Sequence, residues 1–344
     1  MRSMRMGAVE DAVTVARFET ETKNGFPCVS VRNERLRVDV LPDVGGKLIS
    51  LRDLETSREF FLPPQPDGPQ YRRAFYGAPF DAYDVSGFDD CFPTVEACRG
   101  KLGAAGTAWQ FPDHGEVWSM AWSWRIEKQQ IVLAASGVNW PYRIEKRVGL
   151  SENGVRVSYR LENLSTEPLA YLWSAHPLLN VRPGARILLP ADVTNVLVNW
   201  SSDDHAGRLG DIRPWPHLDP QNPSLDYSDV KERETGLAAK VFTGRLQRGM
   251  AAVYDPQADE SLAFQFDVER TPYLGLWLCY GGWPPAAAQK HLTVALEPCS
   301  GRPDSLAEAM KRNEHSVAAP RSKCEWEIEM SIWRGVPPFL TART

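Results

Sequence analysis

The chain reads as an all-β protein, a large antiparallel β-sandwich in a single domain. Three observations predict this. Short runs in which apolar and polar residues alternate recur from residue 28 to residue 333. Helical periodicity is almost absent, and strands do not alternate with helices as a parallel sheet would require. Turn residues rather than Gly/Ser linkers separate the runs, and there is no internal repeat. Residues 25–344 are therefore taken as one domain, preceded by a segment, 1–24, that is weakly ordered or an edge strand.

The elements follow in order. Residues 28–31 and 36–40 make two strands around the turn at Asn33-Glu34, and 47–51 a third after the turn Pro42-Asp43-Val44-Gly45-Gly46. The Gly45-Gly46-Lys47 run is not a phosphate loop, because position 41 is Leu where that motif needs Gly. Residues 62–93, rich in Pro, Gly, Asp and aromatics, read as loops crossing the end of a sheet. A strand is expected to carry Trp118, Met120, Trp122, Trp124 and Ile126 on one face. Strands at 131–136, 142–150 and 154–162 follow, the last two joined by the hairpin signal Asn153-Gly154. The next strand places Leu169, Tyr171, Trp173 and Ala175 on one face and Leu172, Ser174 and His176 on the other, and is expected to end at His176 because Pro177 cannot donate to a ladder. A short strand lies near Ile187, and 192–236, dense in Asp, Pro, Ser and His, reads as one long loop. Strands resume at 250–254, 261–268, 273–280, 291–297 and 324–333. The clear helix signal is the capping box Ser305 to Glu308, opening 305–313.

Bulk properties exclude some functions. A net charge of -5 offers no basic face for nucleic acid. Of the six cysteines none forms a Cys-x-x-Cys pair and several sit in apolar strands, which fits buried free thiols in a reducing compartment. Residues 1–23 contain no apolar run of the kind a secretory signal needs, and no stretch is long enough to cross a bilayer as a helix. The expected setting is the cytoplasm. The 12 Trp are mostly packing residues, although a flat indole also suits the apolar face of a pyranose.

Two titratable residues stand out. His176 sits on the polar face of its strand, directly before Pro177. Glu297 shares a face with His291, Thr293 and Ala295, while Leu292, Val294 and Leu296 face the core, and Pro298 follows it. An imidazole and a carboxylate in this matching context could converge on one surface as a general acid and base.

The ordered set His114-Gly115, His176-Pro177 and Leu296-Glu297, the last followed by Pro303-Asp304-Ser305, resembles the aldose 1-epimerase (galactose mutarotase) family across roughly residues 28–333. The resemblance implies the family's single large β-sandwich, with Glu297 as general base and His176 as general acid in ring opening and reclosure of a monosaccharide, and with neither cofactor nor metal. It implies that His114 bonds a sugar oxygen. It also makes Asp89 and Asp90 candidates to accept from sugar hydroxyls, and Trp283 a candidate to stack on the ring. A nearby carboxylate is expected to hold the imidazole protonated. The sequence departs from the family's galactose-acting members in having Gly87-Phe88-Asp89-Asp90, without Arg, where they carry Asn-Arg, and Leu178-Leu179 after the His-Pro. The family's substrate-binding Asp has only Asp226 and Asp229 as candidates. A sugar phosphate stays open, with Arg72 and Arg73 in loops that could hold the phosphate.

Three rival readings stand beside this one. A zinc hydrolase would use His114-Gly115-Glu116 and Cys299, although Arg302 occupies the place of its second Cys. A glycoside hydrolase would pair Glu297 with Asp89 or Asp90. A non-catalytic sugar-binding or regulatory protein could share the same fold.

Overall fold

In the computed structural model the described residues are 16–66, 68, 70–102, 107–285 and 290–341. Alternation along the strands builds two antiparallel sheets. The larger has 11 strands in the spatial order Arg17–Lys23, Phe26–Arg32, Leu36–Leu41, Lys47–Asp53, Phe88–Cys91, Ser174–Leu179, Leu292–Cys299, Tyr273–Tyr280, Leu237–Thr243, Asn195–Ser201 and Ile212–Pro214. The smaller has eight, in the order Arg186–Leu188, Met250–Asp255, Glu260–Phe266, Lys323–Arg334, Gly154–Asn163, Tyr142–Leu150, Gln130–Ser136 and Ser123–Glu127. One apolar core lies between them. Val38, Leu51, Phe88, Trp173, Ala175 and Leu296 enter it from the large sheet, and Ile144, Val157, Leu161, Phe264 and Ile328 from the small one. The expected edge strand exists as Arg17–Lys23, paired to Phe26–Arg32; residues 1–15 lie outside the described residues.

Four expectations need correction. The His176 strand does not stop at Pro177 but runs through Ser174–Leu179, and the Glu297 strand likewise runs past Pro298 to Cys299. Each proline takes a position where its missing N–H leaves the ladder open instead of ending it. The 192–236 segment is not one loop. Asn195–Ser201 and Ile212–Pro214 lie inside it, the first of them bridging to Leu237–Thr243 within the large sheet. Of the expected strand over 118–126, only Ser123–Glu127 forms. Residues Val117–Ser119 wind into a 3-10 turn, because the Met120 carbonyl and the Trp122 N–H bond the Pro42–Gly45 turn rather than a neighbouring strand. The helix Leu306–Arg312 is present, but Ser305 makes no side-chain cap. The N–H of Leu306 donates to Thr94 Oγ1 instead, at 3.1 Å. A hairpin, Cys98–Leu102 with Thr107–Phe111, was not expected.

An ion pair ties the two sheets through this core. Lys146 of the small sheet and Asp90 of the large one are both fully buried, 2.7 Å apart. Lys146 Nζ also donates to the Gly46 carbonyl at 2.6 Å, and the Trp173 indole donates to Asp90 at 3.2 Å. Removing one partner strands the other charge without water. Lys146→Met should therefore cost about 3–5 kcal/mol in urea unfolding, and the double variant with Asp90→Leu should recover more than half of that loss.

Candidate active site

The site lies on the face of the large sheet turned away from the small one, and antiparallel register creates it. Ser174 pairs with Cys299, Leu178 with Ala295 and Leu179 with Val294, so the same register sets His176 opposite Glu297. Between these pairs the ladder is interrupted, where Pro177 and Pro298 have no N–H to give. Trp173 and Ala175 on one strand, and Val294 and Leu296 on the other, are buried in the core. Alternation then turns His176 and Glu297 outward together. His176 Nε2 lies 4.0 Å from Glu297 Oε1.

Above this pair is a cleft of about 420 Å³, within the usual range for small-molecule sites. Its lining includes Phe80, His114, His176, Leu178, Asn199, Lys240, Trp277, Trp283 and Asp304. His114 enters on a sharp turn: it has φ +56 and Gly115 φ +76, and a Cβ at 115 would meet the Phe92 carbonyl oxygen at 2.2 Å. That close approach explains why glycine follows the histidine. His114 Nδ1 bonds Asp113 Oδ1 at 2.8 Å. Its ring lies flat on Phe80, with centroids 3.9 Å apart, and is perpendicular to the His176 ring, with centroids 5.2 Å apart. Trp283 stands perpendicular to Trp277 at 5.9 Å, and Trp277 stacks on Trp200 at 5.7 Å.

Two further residues line the cleft beside the His176–Glu297 pair: Lys240, which the sequence did not single out, and Asp304, which it marked only within the Pro303-Asp304-Ser305 motif. Lys240, on Leu237–Thr243, bonds Glu297 Oε2, which Ser174 Oγ also reaches at 3.3 Å. Asp304 Oδ1 lies 3.7 Å from the Lys240 ammonium. Asp304 is fixed by its own carbonyl, which accepts from the N–H groups of Val95 and Glu96, and by Asn199 Nδ2 at 2.9 Å. Lys240 falls in a segment that lacked a strand pattern. Asp304 had been read only as part of a motif at the start of a helix.

Burial sets the charges. It raises the Glu297 carboxyl above its usual range, against the pull of Lys240. Burial, then the positive surroundings of His114, Lys240 and Lys47, holds His176 well below the usual histidine range. The expected protonated imidazole is thus corrected, because burial and then the nearby positive groups oppose its charge. Burial works against the Lys240 ammonium too, but Asp304 and Glu297 outweigh it and keep Lys240 charged. Glu297 Oε1, Asp304 Oδ1 and His176 Nδ1 are buried and make no hydrogen bond within the described residues. Such atoms are uncommon in folded proteins and mark a place where a ligand can bond.

His114, His176 and Trp283 therefore line one cleft, while Glu297, 4.0 Å from His176, is fully buried and is not part of its lining. Asp89 and Asp90 do not line it. Asp90 is sealed in the core on Lys146. Asp89, the register partner of His176, is 1% exposed and held by Lys47 at 3.0 Å, and its burial raises it to about 6. Neither lines the cleft, so the sugar contacts and the glycosidase pairing expected of them are withdrawn. Asp226 bonds Ser228 and Asp229 pairs with Arg186, both outside the cleft lining. Arg72 lies over the Tyr83 ring and Arg73 pairs with Asp43, so neither offers a phosphate site there. The zinc-hydrolase set is not assembled either. Glu116 turns into the interior and accepts from Tyr142 Oη at 2.7 Å, and Cys299 packs among Leu197, Phe242 and Tyr273.

No family model matches the chain, and no curated protein matches it by sequence. Solved structures do match over nearly the full length. A galactose mutarotase-like protein from Clostridium acetobutylicum superposes with a TM-score of 0.67 at 14% identity, covering 93% of this chain and 99% of that one. A putative aldose 1-epimerase from Escherichia coli K12 gives 0.64 at 15% identity, and galactose 1-epimerase from Lactobacillus acidophilus NCFM 0.62 at 13%, each with the same 93% and 99% coverage. These likenesses and the two-sheet topology assign the chain the galactose mutarotase-like fold.

Proposed function

We propose that the protein interconverts the α and β anomers of a free monosaccharide by acid–base ring opening and reclosure. The observation that carries this is the apposition of His176, which lines the cleft, and the buried Glu297, 4.0 Å apart. The hydroxyl oxygen and the ring oxygen of a cyclic sugar are bonded to the same carbon, C1. A base for one and an acid for the other must therefore stand within a few ångströms of each other, as these two do.

In this reading Glu297 Oε1 takes the C1 hydroxyl proton. The C1–O5 bond breaks, its electron pair goes to O5, and His176 Nε2 supplies the proton there. The proton on Glu297 refills the imidazole, so both groups return to their starting forms. Rotation about C1–C2 and the reverse transfers give the other anomer. His176 works from its neutral form, as neutral histidines do elsewhere when they polarise a carbonyl. His114, held by Asp113, bonds a sugar hydroxyl, and Trp283 and Trp277 cover an apolar sugar face.

The charge of the cleft favours an unphosphorylated sugar. Among the described residues lining it, Asp81, Glu96, Asp113 and Asp304 are acidic and Lys240 is the one Lys or Arg, already paired with Glu297. A non-catalytic sugar-binding protein is the second reading, favoured by that same pairing.

Exchange NMR of anomers across a panel of aldoses tests both readings. Glu297→Gln should lower kcat/KM about 10²–10⁴-fold while sugar binding persists. A wild type that binds a sugar but never speeds its exchange would establish the second reading. The free aldose should exceed its 6-phosphate about tenfold or more in kcat/KM, since like charges meet in the cleft. As pH rises through the raised Glu297 value, kcat/KM should rise and then stay level past about 6.5, the ordinary histidine value. A fall centred there would make protonated His176 the acid.

A further inference from the structure

We propose that Lys240 is the positioning residue of this site: it keeps Glu297 charged and presents only Oε1 to the substrate. This rests on the reading of Glu297 as the base.

The geometry is specific. Lys240 and Glu297 lie on strands that are not neighbours, because Tyr273–Tyr280 runs between them. The residue of that strand opposite Glu297 is Gly275. A Cβ there would lie 3.3 Å from Glu297 Oε2 and 3.1 Å from the Phe242 ring. Glycine thus leaves room for the Glu297 carboxylate beside the Phe242 ring, over which the Lys240 ammonium lies at 5.3 Å. Lys240 is flanked in register by Trp200 and Trp277, whose rings stack on each other, and its side chain is only 7% exposed. The ammonium is consequently committed to Glu297 and Asp304 rather than to solvent.

Two consequences follow for the base. Lys240 and Ser174 both engage Oε2, and the oxygen left over, Oε1, is the one that faces His176. The carboxylate is thereby turned so that one lone pair meets the sugar hydroxyl. After that hydroxyl gives up its proton, the adjacent ammonium disfavours the neutral acid, so Glu297 passes the proton on to the imidazole. The other groups facing Glu297 are Asp304, whose charge opposes its ionisation, His114 and His176, and the thiols of Cys91 and Cys299. Lys240 is the permanent cation among them.

The test reads the Glu297 carboxyl directly in the ligand-free protein, by infrared difference spectroscopy against pH, with its band assigned by its loss in Glu297→Gln. Lys240→Met should move the ionisation of Glu297 to higher pH by about 1–3 units, as expected for removing an opposite charge in contact. Asp304→Asn should move it the other way, to lower pH. The acid limb of kcat/KM should follow both shifts, and the activity of Lys240→Met lost at neutral pH should return in alkali, which a merely misfolded variant would not do. A titration in Lys240→Met that superimposes on wild type overturns the proposal whatever the loss of rate. If that variant does not fold, Asp304→Asn decides alone, since an unmoved titration there also overturns it. The infrared result does not depend on turnover. A wild type inactive on every sugar would therefore count against the catalytic reading, separately from the ionisation that Lys240 controls.

Discussion

The candidate site depends on one constraint, the register between the strands Ser174–Leu179 and Leu292–Cys299. A slip of one residue would turn His176 and Glu297 into the core and expose Trp173, Ala175, Val294 and Leu296. The apolar partners on the core side therefore fix the polar pair on the other. The two prolines open the ladder just where the pair sits. The backbone there is relieved of hydrogen bonds it would otherwise owe, and the register is held by the pairs on either side.

Three buried lysine–carboxylate contacts run through the large sheet and its core: Lys146 with Asp90, Lys47 with Asp89, and Lys240 with Glu297. Their chemistry is the same, and their surroundings decide their use. Lys146 and Asp90 are closed in on every side, so the pair joins the sheets. Lys47 is held by Asp84 and the Ser86 carbonyl as well as by Asp89, which anchors the loop before Phe88–Cys91. Only the Lys240–Glu297 contact reaches the cleft, through Lys240; Glu297 Oε1 makes no hydrogen bond there, and the Asp89 oxygens, with only the Lys47 ion pair, face no cavity. A buried charge that is wholly paired supports structure, and one that is partly paired beside a cavity can do chemistry.

The same contrast explains how Asp89-Asp90 could mislead. Adjacent acids in a loop-rich stretch look solvent-facing in a sequence, but in a strand successive side chains point to opposite faces. Asp90 thus goes to the core and Asp89 to the outer face, where Lys47 claims it. Neither lysine is near them in the chain.

What the sequence determined by itself was local. Alternation set most strands and the all-β class, and it also set which face His176 and Glu297 would share, because that depends only on the period of two along each strand. The His114-Gly115 pair was legible only as a motif, and the structure supplied its reason, a left-handed turn with no room for a Cβ. The tertiary structure alone decided which charges meet. Asn195–Ser201 and Leu237–Thr243 carry little pattern of their own and become strands by adding to an existing sheet edge, so Lys240 could not be placed before that sheet was known. The charge state of His176 also waited on the fold, because it depends on burial and on cations brought from Leu237–Thr243, Lys47–Asp53 and the turn at His114. Such long-range electrostatics leave no mark on spacing along the chain.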